Sequence, residues 1–151
     1  MLHMPTERRL RFVSFQTRHL YAVQGLTPAQ VSMAERAGEA QAFLNAGPAI
    51  TAYRGPDLVA CGGFLIHYPG VAEAWMMTSA LAPRYGLSLF AAARELTTQM
   101  FDFARCHRIQ AAVHTEFAAA IRFVERLGFV REGTMRHYGP DNTDYYLYAR
   151  T

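Results

Sequence analysis

The sequence predicts an α+β fold, a mixed and mostly antiparallel twisted sheet of about seven strands with flanking helices. Three observations carry that expectation. Between residues 49 and 78, three apolar runs are separated only by Arg54-Gly55-Pro56-Asp57 and Tyr68-Pro69-Gly70, turns too short for anything but antiparallel pairing. A long amphipathic stretch then lies between two strand-like runs, the pattern of a helical crossover. The chain closes on two further runs joined by Gly139-Pro140-Asp141-Asn142.

Taken in order, Leu10 to Phe15 alternates as a short strand, and Thr17 to Gln24 reads as a short helix ended by Gly25. Thr27-Pro28 supplies a cap residue followed by proline at the first helical position, with Val31, Ala34 and Ala37 at helical spacing; Glu39 to Ala46 adds a turn or two. Ala49 to Tyr53, Leu58 to His67 and Val71 to Thr78 form the meander, and Gly62-Gly63 inside its second strand calls for a bulge or a close backbone approach. The stripe Leu89, Ala93, Leu96, Met100, Phe103 marks a helix from about Leu87 to Cys106 that packs on the core. Ile109 to His114 is a buried-type strand, Glu116 to Leu127 a helix with Gly128 in the left-handed capping position, and Phe129 to His137 and Thr143 to Arg150 are the last strands.

Composition bounds the function. A chain of 151 residues, 51% hydrophobic and 18% charged, builds one domain (1–151) with a real core and is not a disordered segment. No run approaches the roughly 20 apolar residues of a membrane span, and MLHMPTERRLRF has no apolar signal region. Two cysteines, Cys61 and Cys106, make no disulfide framework. The expectation is a soluble, reduced, cytoplasmic protein. All 15 basic residues are arginine, which removes lysine Schiff-base chemistry and the Walker-type phosphate loop. The net charge of +3 is scattered, with Arg8, Arg9 and Arg11 the one dense spot, and argues against a nucleic-acid partner.

The segment from Ala120 to Gly133, AIRFVERLGFVREG, resembles the last conserved block of the GCN5-related N-acetyltransferases, where a helix ends in Leu-Gly-Phe and the next strand carries a Glu-Gly pair. The resemblance spans about residues 49 to 150. It implies acetyl-CoA as co-substrate, an extended pantetheine arm paired to the strand edge Met76-Met77-Thr78, and a pyrophosphate at the start of the long helix, near Arg84, Tyr85, Gly86, Leu87 and Ser88. A splay between the strand at Val71 to Thr78 and that at Ile109 to His114 would open the slot. The family's loop, Arg/Gln-x-x-Gly-x-Gly/Ala, is shortened here to Arg84, Gly86 and Ser88. Phe117 and Val124 stand where family members often carry an asparagine and a thiolate-protonating tyrosine, a task valine cannot perform. Such shortened-loop members are similar to proteins encoded in bacteriophage genomes.

Amine acetylation needs a proton acceptor, and Glu73 matches the place where some family members keep a general-base glutamate. The reading is direct attack of an amine on the thioester, with N–H groups near Met77 polarising the carbonyl. The acceptor is a small-molecule or peptide amine. His67, His114, His137 and Tyr138 are further titratable or hydroxylic candidates, each with an ordinary structural role available. The histidines lack the spacing of a metal site, and Cys106-His107 point apart on a helix end. Trp75 reads as core, and the tyrosines 145, 146 and 148 of the last strand offer a surface for a homodimer. The competing reading is a catalytically silent binding or assembly protein that keeps the fold, such as a phage or virion component.

Overall fold

The computed structural model describes residues 9–16, 18–23 and 47–151. The helix expected from Thr27-Pro28, the turns over Glu39 to Ala46, and Arg8 lie outside the described residues. The described strands are β1 (Arg11–Ser14), β2 (Ala49–Arg54), β3 (Asp57–Tyr68), β4 (Val71–Thr78), β5 (Arg108–His114), β6 (Val130–Met135) and β7 (Tyr145–Arg150). They form one seven-stranded sheet in the order β1-β2-β3-β4-β5-β7-β6. Every neighbouring pair is antiparallel except β4 and β5, which run parallel. The helices are α1 (Arg18–Ala22), α2 (Gly86–Asp102), which makes the β4-to-β5 crossover, and α3 (Ala118–Arg126). The α+β expectation holds.

Alternation sorts the two faces of the sheet. Ile109, Ala111 and Val113 of β5 lie in the main core with Ala72, Tyr148 and Phe64, beneath Met100 of α2 and Leu127 at the end of α3. The two helices touch there, with Phe90 and Phe123 edge to face at 5.8 Å. On the opposite face Leu20 and Val23 pack with Leu58, Cys61 and Met77, flanked by Phe15 and Trp75. A third cluster of Leu10, Ala52, Val59, Ala82 and Leu89 seats the start of α2.

Gly62 and Gly63 resolve as close approaches. A Cβ on Gly63 would collide with Pro48 O and Ala49 Cβ, and one on Gly62 would lie 2.8 Å from Trp75 O. The register shifts of β3 fall elsewhere, opposite Ala52/Tyr53 and between Ile66 and Tyr68. α2 ends at Asp102 rather than continuing to Cys106, and Arg105 then takes a left-handed φ of 52° that redirects the chain toward β5. Gly128 caps α3 at φ 91°, with its N–H on Glu125 O and the Phe129 N–H on Val124 O, the paired bonds that close a helix end.

Candidate active site

β4 and β5 pair at three positions only, Val71 with Arg108, Ala72 with Ile109 and Glu73 with Gln110. Beyond Glu73 the two strands part. β4 stays on β3 as far as Thr78, while β5 stays on β7 as far as His114. The main-chain direction along β4 follows from its two ends. Ser79 N–H donates to Val59 O of β3, and Gly70 O accepts from Arg108 N–H of β5. With a period of two, the backbone groups of Ala74, Met76 and Thr78 therefore face away from β3, into the gap, and those of Trp75 and Met77 face β3. No described strand pairs with β4 on the gap side beyond Glu73. Met76 is exposed, Thr78 half-buried, and the Met77 side chain is buried in the cluster under α1.

The connection from β4 to α2 is anchored by Ser79. Its hydroxyl donates to Val59 O at 3.0 Å and accepts from Leu81 N–H at 3.2 Å. A short 3-10 turn, Ala82–Tyr85, then runs directly into α2. Tyr85 is half-buried against the third cluster, with the Arg54 guanidinium 5.7 Å from its ring centre. Arg84, Gly86, Leu87 and Ser88 are exposed. α2 begins with no side-chain cap and no acidic residue in its first turn, so its own first turn offers the positive end of the dipole no carboxylate. Gly86 has a helical φ of −53°, and a Cβ on it would meet nothing within 4 Å. On the side of α2 turned from Phe90, Ser88, Ala91 and Ala92 line a shallow cavity of about 490 Å³ with Arg9, Leu10 and Phe12.

Glu73 sits where the strands separate, on the face opposite α2 and α3. His67 Nε2 lies 2.8 Å from Glu73 Oε2. Tyr138, in the β6–β7 connection, is half-exposed; partial burial, and then the charge of the Glu73 carboxylate, raise its pKa above the ordinary phenol value. Its ring meets Tyr145 at 5.4 Å, and Tyr145 meets His114 at 5.2 Å. The connection is held tightly. Gly139 N–H donates to Thr143 O, Thr143 Oγ1 donates to Asp141 Oδ1 at 2.6 Å, and a Cβ on Gly139 would lie 2.6 Å from the Tyr145 ring. His114 Nδ1 accepts the Glu116 N–H at 3.1 Å, which leaves Nε2 as the protonated nitrogen of its neutral ring.

The structure thus gathers Glu73, His67, Tyr138 and, through Tyr145, His114 along one side of the parting strands, while the Arg84–Ser88 segment lies beyond the far end of β4. His137 is not part of that group; its N–H donates to Asp144 Oδ1 and its φ is 55°, which makes it a turn residue. Cys106 is buried with its thiol pKa pushed up, and the His107 ring covers Gly70 at the β3–β4 turn. Phe117 holds the position just before α3 and gives it no side-chain cap, and Val124 packs against the main core. Sequence reasoning missed Ser79, although a serine placed just after a strand and before Pro83 is a turn signal. The approach of Tyr138 to Glu73 had no local signal. Among the described residues no three His, Cys, Asp or Glu side chains gather as a metal site, and no helix is long and apolar enough to cross a membrane.

The sequence pattern of the acetyltransferase (GNAT) family matches residues 16–129, and the chain belongs to that family. No curated protein sequence matches it. Among solved structures it is similar to Ard1 from Thermoplasma volcanium, with a TM-score of 0.70 and 17% identity over 93% of this chain and 96% of that one. It is similar to a ribosomal-protein-S5-alanine acetyltransferase from Vibrio fischeri (TM-score 0.67, 12% identity, 93% and 92% covered). A GNAT-family acetyltransferase from Bacillus anthracis gives a TM-score of 0.66 at 21% identity, with 96% of each chain covered. At these identities the likeness shows a shared fold.

Proposed function

We propose that the chain is an acyl-CoA-dependent N-acyltransferase that moves acetyl from acetyl-CoA to an amine by direct attack. The observation that carries the reading is the parting of β4 and β5 at Glu73, which leaves an unpaired strand edge facing a cleft. The amides and carbonyls of Ala74, Met76 and Thr78 suit an extended, amide-bearing pantetheine arm laid along them like an added strand. The first turn of α2, uncapped and free of acids, suits the diphosphate, with Arg84 and Ser88 beside it and Gly86 leaving room for close approach. The acceptor enters from the Glu73 face. Glu73 takes the proton that the amine nitrogen loses as its lone pair bonds to the thioester carbon, and the carbon–sulfur bond breaks. The sulfur leaves as thiolate carrying the electron pair of that bond, with no proton donor at the Val124 position.

The amine acceptor also fits two of the structures it resembles, which are named for the alanine of ribosomal protein S5 and for spermidine. Two measurements test the reading. Calorimetry with acetyl-CoA should give saturable heat, and thiol release with a panel of amines should depend on the acceptor. Glu73→Gln should lower turnover by about 10²-fold or more with acetyl-CoA binding retained. Absence of heat at high acetyl-CoA concentration refutes the donor. Binding without thiol release from any amine points instead to the silent binding protein.

A further inference from the structure

We infer that His67 is a positioning residue for Glu73, holding one carboxylate oxygen so that the other stays directed to the acceptor. This rests on the reading of Glu73 as the proton acceptor, and its basis is the irregularity of the β3–β4 hairpin. Leu65 lies directly opposite Glu73, Ile66 opposite Ala72, and Tyr68 opposite Val71, so His67 is the extra residue of a bulge. A bulge tightens the local twist and re-aims a side chain. Here His67 Nε2 comes within 2.8 Å of Glu73 Oε2 across the hairpin. The two side chains keep 36% and 22% exposure, so the pair is reached by solvent and by an acceptor alike. Among the described residues Glu73 Oε1 has no hydrogen-bond partner.

Glu73 is also the last β4 residue paired with β5, so the clamp acts where the cleft begins. The groups facing Glu73 are few. β3 supplies His67, and the β6–β7 connection supplies the Tyr138 hydroxyl. From β5 comes Gln110, uncharged, its Oε1 accepting from Arg108 Nε. Arg108 is itself committed to Glu132, with bonds of 3.1 and 2.6 Å. Among the described residues, the side chain that hydrogen-bonds the Glu73 carboxylate is therefore that of His67. Its Nε2 donates to one carboxylate oxygen, which fixes the carboxylate plane and leaves the other oxygen for the acceptor.

The tests are kinetic. His67→Ala should lower kcat/KM about tenfold or more with acetyl-CoA affinity unchanged. His67→Gln, which keeps an N–H donor, should restore most of the rate, a rescue that a merely structural role for the ring would not give. An unchanged rate in His67→Ala, with Glu73→Gln inactive, overturns the positioning role and leaves the acyltransferase reading standing. A His67→Gln enzyme as slow as His67→Ala overturns that role as well, since the donor would then make no difference.

Discussion

His19 illustrates how one ring nitrogen can tie stability to pH. Its Nδ1 faces two donors, the Gln16 N–H at 3.1 Å and the Thr51 hydroxyl at 2.7 Å, in a buried site. Burial, and then the positive charge of Arg18, hold its pKa below the ordinary 6.5. Just below pH 6.5 the unfolded chain therefore binds more protons at this residue than the folded one does, and stability falls as pH falls toward the folded pKa. Urea unfolding from pH 7.5 down to 5 should show that decline, and His19→Gln should remove its His19 component. Cys61 behaves in the opposite sense. Burial pushes its thiol up to about 12, so almost no thiolate exists at pH 8. With Cys106 buried and also raised, a disulfide reagent should label neither thiol until the protein unfolds.

At the scale of elements, the start of α2 sets stability against ligand. Gly86 is helical, open on its Cβ side and near the positive end of the dipole. Gly86→Asp should therefore stabilise the fold by about 0.5–1 kcal/mol, through helix propensity and the dipole. The same carboxylate would repel a diphosphate, so acetyl-CoA affinity should drop at least tenfold. An unchanged affinity in calorimetry would remove the first turn of α2 from the proposed site. The meander gives a contrasting glycine. Gly63→Ala drives a Cβ into Pro48 O and Ala49 Cβ, backbone and a stub with no rotamer to yield. It should cost about 1–3 kcal/mol in urea unfolding.

Across the whole molecule, α3 is tied to the last two strands through one phenol. Tyr148 is fully buried, yet its hydroxyl reaches the edge of the core. There it donates to Glu125 Oε1 at 2.8 Å and accepts from Arg131 Nε and Nη2 at 3.2 and 3.1 Å. Arg131 also lies 3.7 Å above the Tyr146 ring. Tyr148→Phe keeps the ring and frees two exposed charged groups to rehydrate, so it should cost only about 1 kcal/mol. In a melting experiment that is a fall of about 2–4 °C. Ile109→Ala, beneath the same helices with no exposure at all, should cost about 2–5 kcal/mol by opening a cavity.

Much of this architecture is written locally. The bounds of β4, Val71–Thr78, follow from Pro69-Gly70 before it and from its own run of strand formers. The αL glycine at 128 and the antiparallel meander follow in the same way from turn chemistry and period. The Leu-Gly-Phe segment carried the family, because a helix end packed on a sheet constrains consecutive residues. Local signals did not locate the bulge that swings His67 onto Glu73, the folding of the β6–β7 connection that brings Tyr138 near the same carboxylate, or the point at which β4 leaves β5. Those depend on strand register and on how the helices and strands pack on one another, and both are settled only when segments distant in the chain come together. The sequence by itself determined which elements form and how they alternate. Tertiary packing decided where two parallel strands stop bonding, since a ladder continues only while the layer above it lets the strands stay side by side.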